Sequence, residues 1–275
     1  MSYSLVMRRI VILALLTIPV MAQIAPPNPA GVSMGHLHLT SPDPEAHMKM
    51  WIDGLGGKKV MAGTLELAMF PGVFVAVRKG EPSGATNGSI VNHLGFLVRD
   101  IAATKEKVIA AGIPIEREMP ETGQMFLLLP GDARVELTED KSIDVPIKHH
   151  HIHFATPEIE EMRAWYARHF GAVLGMRGRF KAADVPGANL SWNPADAALA
   201  PTQGRALDHI GFEVADIKAF CAKLEPGGVK LEGSGVREVP NLGLTIAFLT
   251  DPWGTRIELT EGLARFSIMG SSMGF

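Results

Sequence analysis

Val91–Asp100 reads VNHLGFLVRD, and Leu207–Asp216 reads LDHIGFEVAD. Each has a His, an apolar residue, Gly-Phe, and an Asp seven places after the His. Two further stretches keep the His and the acid at that spacing, HLHLTSPD from His36 and HIHFATPE from His151. The four histidines, His36, His93, His151 and His209, stand 57, 58 and 58 residues apart. A period this regular marks a chain of repeated supersecondary units.

Each repeat has the same internal order. An apolar-alternating strand comes first, and the acid then opens a helix as a cap or first-turn charge. The expected helices are PEAHMKMWIDGLG, IAATKEKVIAAG, EIEEMRAWYARHFG and IKAFCAKLEPGG, each closed by Gly, a residue that readily takes the left-handed stop conformation. Three short strands follow, broken by turn signals at Pro71-Gly72, Pro130-Gly131, Pro186-Gly187 and Asp251-Pro252. The unit is therefore βαβββ, written four times. The break SIDVPIK, Ser142–Lys148, is the expected boundary between two domains of two units each, residues 34–142 and 147–262. Residues 263–275 are read as a tail.

Strand periodicity says where the histidines point. In HLGFLV, His93, Gly95 and Leu97 share one face, while Leu94, Phe96 and Val98 share the other and suit packing on a helix. The same holds for His209, with Ile210, Phe212 and Val214 opposite. At the ends of the second and fourth units, DARVELTE and TRIELTE alternate in the same way. They place Arg134, Glu136 and Thr138 on one face, and likewise Arg256, Glu258 and Thr260. The even units each offer a His and a Glu to whatever the sheet encloses, and the odd units each add a His.

The remaining features set bounds. The chain has 275 residues, is 47% hydrophobic, and carries a formal charge of -3, with no long basic run to suit nucleic acid. MSYSLVMRR, then IVILALLTIPV, then MAQ has the layout of a signal peptide over residues 1–22. This reading predicts a secreted or periplasmic protein, free of the membrane once cleaved; the alternative is an uncleaved anchor. Residues 23–33 form a Pro-rich linker. Cys221 is the single cysteine, so no internal disulfide is available, and it is read as a packing residue.

These motifs resemble the vicinal oxygen chelate superfamily, which includes type I glyoxalases, bleomycin- and fosfomycin-resistance proteins and extradiol dioxygenases. The resemblance spans about residues 34–262. It is strongest in NHLGFLVRD with DARVELTE, and in DHIGFEVAD with FLTDPWGTRIELTE. It implies an α+β fold in which βαβββ units pair into half-open curved mixed sheets, helices outside, with a divalent metal (Fe, Mn, Ni or Zn) in the concavity. Carried over by position, the ligands are His36, His93 and Glu136 in the first domain, and His151, His209 and Glu258 in the second. His38 and His153 lie two residues along on the same faces, so the register of the odd-unit ligands is open.

The resemblance implies a metal-dependent enzyme acting on a small oxygenated substrate chelated at the ion, of lyase or isomerase type. Glu136 and Glu258 are the candidate proton carriers. An Fe(II) oxygenase of the extradiol kind and a non-catalytic small-molecule binding protein are the alternatives, and a homodimer is compatible with the family. Two departures stand out. Type I glyoxalases place a further Glu near the end of the first unit, where PGVFVAVRKG has Val75 or Val77, and the third unit has Leu190–Trp192. Extradiol dioxygenases carry a His and a Tyr before the DPxG turn, where PNLGLTIAFLTDPWG has no His and has Phe248. Glu213, Arg177, Arg179 and Lys181 are additional polar candidates.

Overall fold

The structure is a computed structural model and describes residues 24–269; the expected signal peptide lies outside the described residues. All four units have the order strand, helix, three strands. The first is β1 (Val32–Ser41), α1 (Pro44–Lys49, continued by a π-helical turn over Met50–Gly54), β2 (Lys58–Ala62), β3 (Leu65–Phe70) and β4 (Val73–Lys79). The second is β5 (Val91–Val98), α2 (Ile101–Ala110), β6 (Ile115–Met119), β7 (Gln124–Leu129) and β8 (Ala133–Glu139). The third is β9 (Ile147–Thr156), α3 (Ile159–Phe170), β10 (Val173–Arg177), β11 (Phe180–Val185) and β12 (Ala188–Pro194). The fourth is β13 (Leu207–Val214), α4 (Ile217–Leu224), β14 (Arg237–Val239), β15 (Leu244–Thr250) and β16 (Arg256–Glu261), followed by α5 (Ala264–Met269).

The repeated acid explains most of the helix starts. The carboxylates of Asp43, Asp100 and Asp216 accept from the backbone N–H of Ala46, Ala103 and Ala219 at 3.0, 2.9 and 2.9 Å. Each satisfies one of the orphan donors of a helix N-terminus. Glu158 departs from that expectation. It makes no side-chain cap, and instead accepts from Trp253 Nε1 at 2.9 Å. That bond joins α3 to the turn before β16.

The strands form two eight-stranded mixed sheets, ordered β14-β15-β16-β13-β1-β4-β3-β2 and β10-β11-β12-β9-β5-β8-β7-β6. The first unit therefore pairs with the fourth, and the second with the third. The expected pairing within residues 34–142 and within 147–262 is corrected on this point. The deciding contacts are antiparallel and central: β1 lies along β13, with Leu37 opposite Ile210, and β5 lies along β9, with Leu94 opposite Ile152. The segment SIDVPIK joins β8 to β9 inside one sheet rather than separating two.

One continuous core serves both sheets. It runs from Leu37, Trp51 and Phe70 through Phe96 and Phe154 to Tyr166, Phe212 and Cys221, all buried. Cys221 is a packing residue as expected. A buried hydrogen bond from Tyr166 Oη to Asp251 Oδ2, 2.9 Å, ties α3 to the fourth unit. Both terminal segments are held in place. Asn28 in the Pro-rich stretch donates to the carbonyls of Phe170 and Gly171. Leu263 and Phe266, in the expected tail, are buried in a second apolar cluster with Leu67, Leu244 and Ile246. Among the described residues no helix is long and apolar enough to cross a membrane.

Candidate metal centres

Each sheet gathers a His/Glu cluster on the face away from the helices. On the first sheet the groups are His36, His38, His209 and Glu258, and on the second His93, Glu136, His151 and His153; in each, one ligand atom per residue lies within 4.8 Å of all the others. All six residues expected as ligands are present, but their partners are exchanged. His36 joins His209 and Glu258, and His151 joins His93 and Glu136, because β1 lies against β13 and β9 against β5. His38 and His153 belong to the clusters as well. The i, i+2 spacing that left the register open puts both histidines of each pair on one face.

The Gly-Phe motif has a steric cause. A Cβ on Gly211 would sit 2.0 Å from the His36 ring, and one on Gly95 would sit 1.9 Å from the His151 ring. The imidazole of the paired unit occupies the space beside the glycine, so any side chain there would evict it. The Phe of the motif, Phe96 or Phe212, is buried in the core on the opposite face.

In the first cluster Glu258 Oε2 meets His36 Nε2 at 3.1 Å and His209 Nε2 at 2.9 Å. His209 Nδ1 points at Asp208 Oδ1, 2.6 Å away, which directs Nε2 into the concavity. Such a carboxylate–imidazole pair fixes the ring tautomer a metal requires. Asp208 is itself held by Arg78, Arg256 and the backbone N–H of Gly204 at 2.6, 3.0 and 2.7 Å. Although burial opposes it, the pull of Asp208 and Glu258 raises the His209 pKa above its ordinary value. Burial keeps His38 well below the ordinary value, and the neighbouring His209 and His36 add to the effect. Burial would raise the Glu258 carboxyl, but His36 and His209 hold it well below the usual carboxylate range. His36 Nδ1 and His38 Nε2 are buried without a partner. A charged carboxylate among buried imidazoles, two of them with an orphaned ring nitrogen, offers the donor types that a divalent ion takes.

The second cluster is built alike and differs in detail. His93 Nε2 is 2.8 Å and His151 Nε2 3.6 Å from Glu136 Oε2. His93 Nδ1 points at Asn92 Oδ1, 2.8 Å, so a neutral amide stands where the first cluster has Asp208. Burial lowers the His93 pKa. The other oxygen of Glu136 accepts from Gln124 and Thr138 at 2.7 and 2.8 Å. Arg177 Nη2 donates to His153 Nδ1 at 3.1 Å. That assigns the His153 hydrogen to Nε2 and leaves His93, His151 and Glu136 as the better ligands here.

The other polar candidates divide. Arg177 reaches its cluster, while Arg179 lies over the Phe180 ring at 5.1 Å. Lys181 pairs with Glu160 on the helix side. Glu213 accepts from Thr260 Oγ1 and from the backbone N–H groups of Gly262 and Ala264 at 2.8, 2.9 and 3.1 Å. It anchors the C-terminal turn and takes no part in the cluster. Asp208 and Asn92 were not singled out from sequence. Their signal was present, each directly before the motif histidine, but a residue adjacent on a strand ordinarily points to the other face.

Residues 148–259 match the Glyoxalase/Bleomycin resistance protein/Dioxygenase superfamily. That stretch is similar to a glyoxalase-superfamily domain. No curated protein matches the sequence. Among solved structures, glyoxalase I from Zea mays superposes with a TM-score of 0.65 at 16% identity, covering 89% of this chain and 97% of that one. A proposed dioxygenase from Bacillus subtilis superposes with a TM-score of 0.59 at 13% identity, covering 92% of each. At those identities the likeness establishes the glyoxalase-like α+β fold.

Proposed function

We propose that this protein is a divalent-metal-dependent enzyme of the glyoxalase superfamily acting on a small oxygenated substrate, of lyase or isomerase type, with its reacting centre on the first sheet. The observation that carries the reading is the contrast between two otherwise parallel carboxylates. Glu136 has its second oxygen clamped by Gln124 and Thr138. Glu258 meets both histidines through Oε2, and the residue lines a cavity of about 370 Å³.

His36, His38, His209 and Glu258 would hold the ion, with Fe, Mn, Ni and Zn all compatible with imidazole and carboxylate donors. A bound divalent ion there acts as a Lewis acid toward adjacent substrate oxygens. The chain supplies the rest. The Asp208–His209 pair orients one ligand ring. Arg78 and Arg256 neutralise Asp208, and Glu258 is the group placed to carry a proton. The oxygenase reading is less supported, because Phe248 stands edge-on to the His209 ring at 5.2 Å and offers no proton. A binding protein without turnover is the second reading, favoured by the scarcity of other proton carriers in the cavity. The apolar N-terminal run supports export from the cytoplasm. Each cluster is complete within one chain, so a second copy is not needed to build either.

Metal analysis of the purified protein, followed by solvent deuterium exchange into 2-hydroxyketones, tests the reading. We expect bound divalent metal, and exchange abolished by Glu258→Gln but retained by Glu136→Gln. Absence of metal before and after reconstitution sinks the metalloenzyme reading. Metal without exchange, together with ligand binding, leaves the binding protein.

A further inference from the structure

The two concave faces are chemically unlike. Leu67 and Ala76 share a row with His38, and Met69 and Phe74 share one with His36. In the second sheet the same registers hold Ala182 and Ser191 beside His153, and Asp184 and Asn189 beside His151. On the other flank, Ile246 lies opposite Thr260 as Gln124 lies opposite Thr138. Five aliphatic or aromatic positions on the first face therefore face polar or small residues at the matching places on the second. A separate apolar cluster forms only on the first face among the described residues, closed by Leu263, just before α5, and by Phe266 on α5.

This cluster walls the 370 Å³ cavity, whose floor is His36, His38, His209 and Glu258 and whose sides include Leu65, Leu67, Leu244 and Ile246. The volume suits a small-molecule ligand; at about 30 Å³ per water-sized group it has room for roughly a dozen. Three arginines line it. Arg78 and Arg256 are already paired with Asp208. Arg237 makes no ion pair among the described residues and sits 6.0 Å from the Phe248 ring. A polyanionic or peptide-like ligand would strand its polar groups against the aliphatic walls.

We propose that the first-sheet cavity selects an oxygen chelator with an apolar body of about six to eight carbons, and that Leu67 and Ile246 set this selectivity. The oxygens lie at the His/Glu cluster, the body lies between β3 and β15, and one anionic group is accommodated at Arg237. The second cluster, lacking these walls, does not share the preference. The chelating part of this inference rests on the metal-centre reading above; the apolar part rests on the cavity walls alone.

The test is calorimetric titration of the full chain, as purified, with acetohydroxamic, hexanohydroxamic and octanohydroxamic acids. Each buried methylene should tighten binding about fourfold at one site per chain. Ile246→Gln, which installs the second sheet's residue, should reduce that gain to less than twofold per methylene while leaving acetohydroxamate affinity and metal content within about twofold of the parent. Leu242→Gln, at the half-buried rim, is the companion variant if Ile246→Gln does not fold. In metal-stripped protein acetohydroxamate binding should vanish, while the gain per methylene persists along the rest of the series. Affinity independent of chain length, or an unchanged gain in both variants, overturns the proposal. Failure of acetohydroxamate to bind, with the chain-length gain intact, overturns only the metal-centre reading.

Discussion

At the scale of single residues, the motif His-x-Gly-Phe is a packing instruction as much as a ligand signal. The glycine is the surface on which the paired unit's imidazole lies, with a hypothetical Cβ on Gly211 falling 2.0 Å from the His36 ring. No rotamer relieves a clash with a backbone-fixed Cβ. Gly211→Ala is therefore expected to expel His36 and weaken metal binding at the first cluster at least tenfold, leaving the second untouched. Metal content by mass spectrometry after dialysis checks it: the variant should retain one equivalent where the parent retains two. Retention of both would mean that His36 is dispensable. The neighbouring positions explain how twin clusters diverged, since Asp208 and Asn92 differ by a charge at 2.6 and 2.8 Å from their histidines.

Among the elements, α1 is the least regular and carries an unusual burden. Its expected helix runs to Gly54 only by widening into a π-turn, which brings Trp51 into the shared core beside Phe70 and Phe96. His47 on α1 is fully buried, stacks 6.4 Å from Trp51, and has no hydrogen-bond partner on either nitrogen. Burial lowers its pKa from 6.5 to about 4. The unfolded chain thus takes up this proton first as pH falls. The neutral imidazole's contribution is intact above pH 6.5 and is lost progressively between there and 4. Between pH 7 and 5 this one group should cost about 2 kcal/mol. Urea unfolding of His47→Leu at both pH values checks it. The variant should lose about that much less than the parent across the interval, and an equal loss in both would show that His47 is not the titrating group.

On the scale of the whole molecule, the two sheets are woven rather than sequential. Residues 80–90 carry the chain from the first sheet to the second, and 195–206 carry it back. Each cluster is thus built from units distant in sequence, as in the 3.1 Å contact of His36 with Glu258 across 222 residues. Paired substitutions read this topology directly. His36→Ala with Glu258→Ala should remove one metal equivalent, no more than either alone. His36→Ala with Glu136→Ala should remove both. The reverse pattern would restore the pairing of consecutive units.

How much of this was legible in one sequence follows from the range of each interaction. The 58-residue period, the βαβββ order, the helix-capping acids and the inward face of all eight cluster residues are consequences of local backbone geometry. Alternation along a strand and a carboxylate three residues before a free N–H are written within ten positions of one another. The identity of the partner unit is not local. All four first strands present similar edges, so the choice of β1 with β13 and β5 with β9 was made by the common core around Trp51, Phe96 and Phe154 and by the connectors. The same holds for the difference between the two concave faces. Leu67, Ile246 and Leu263 are ordinary apolar residues in sequence, and only the assembled sheet and the segment leading into α5 bring them around one His/Glu cluster and leave the other polar. The sequence by itself determined the repeat, the unit and the ligand types. Long-range packing alone decided which ligands meet and what kind of molecule the space above them admits.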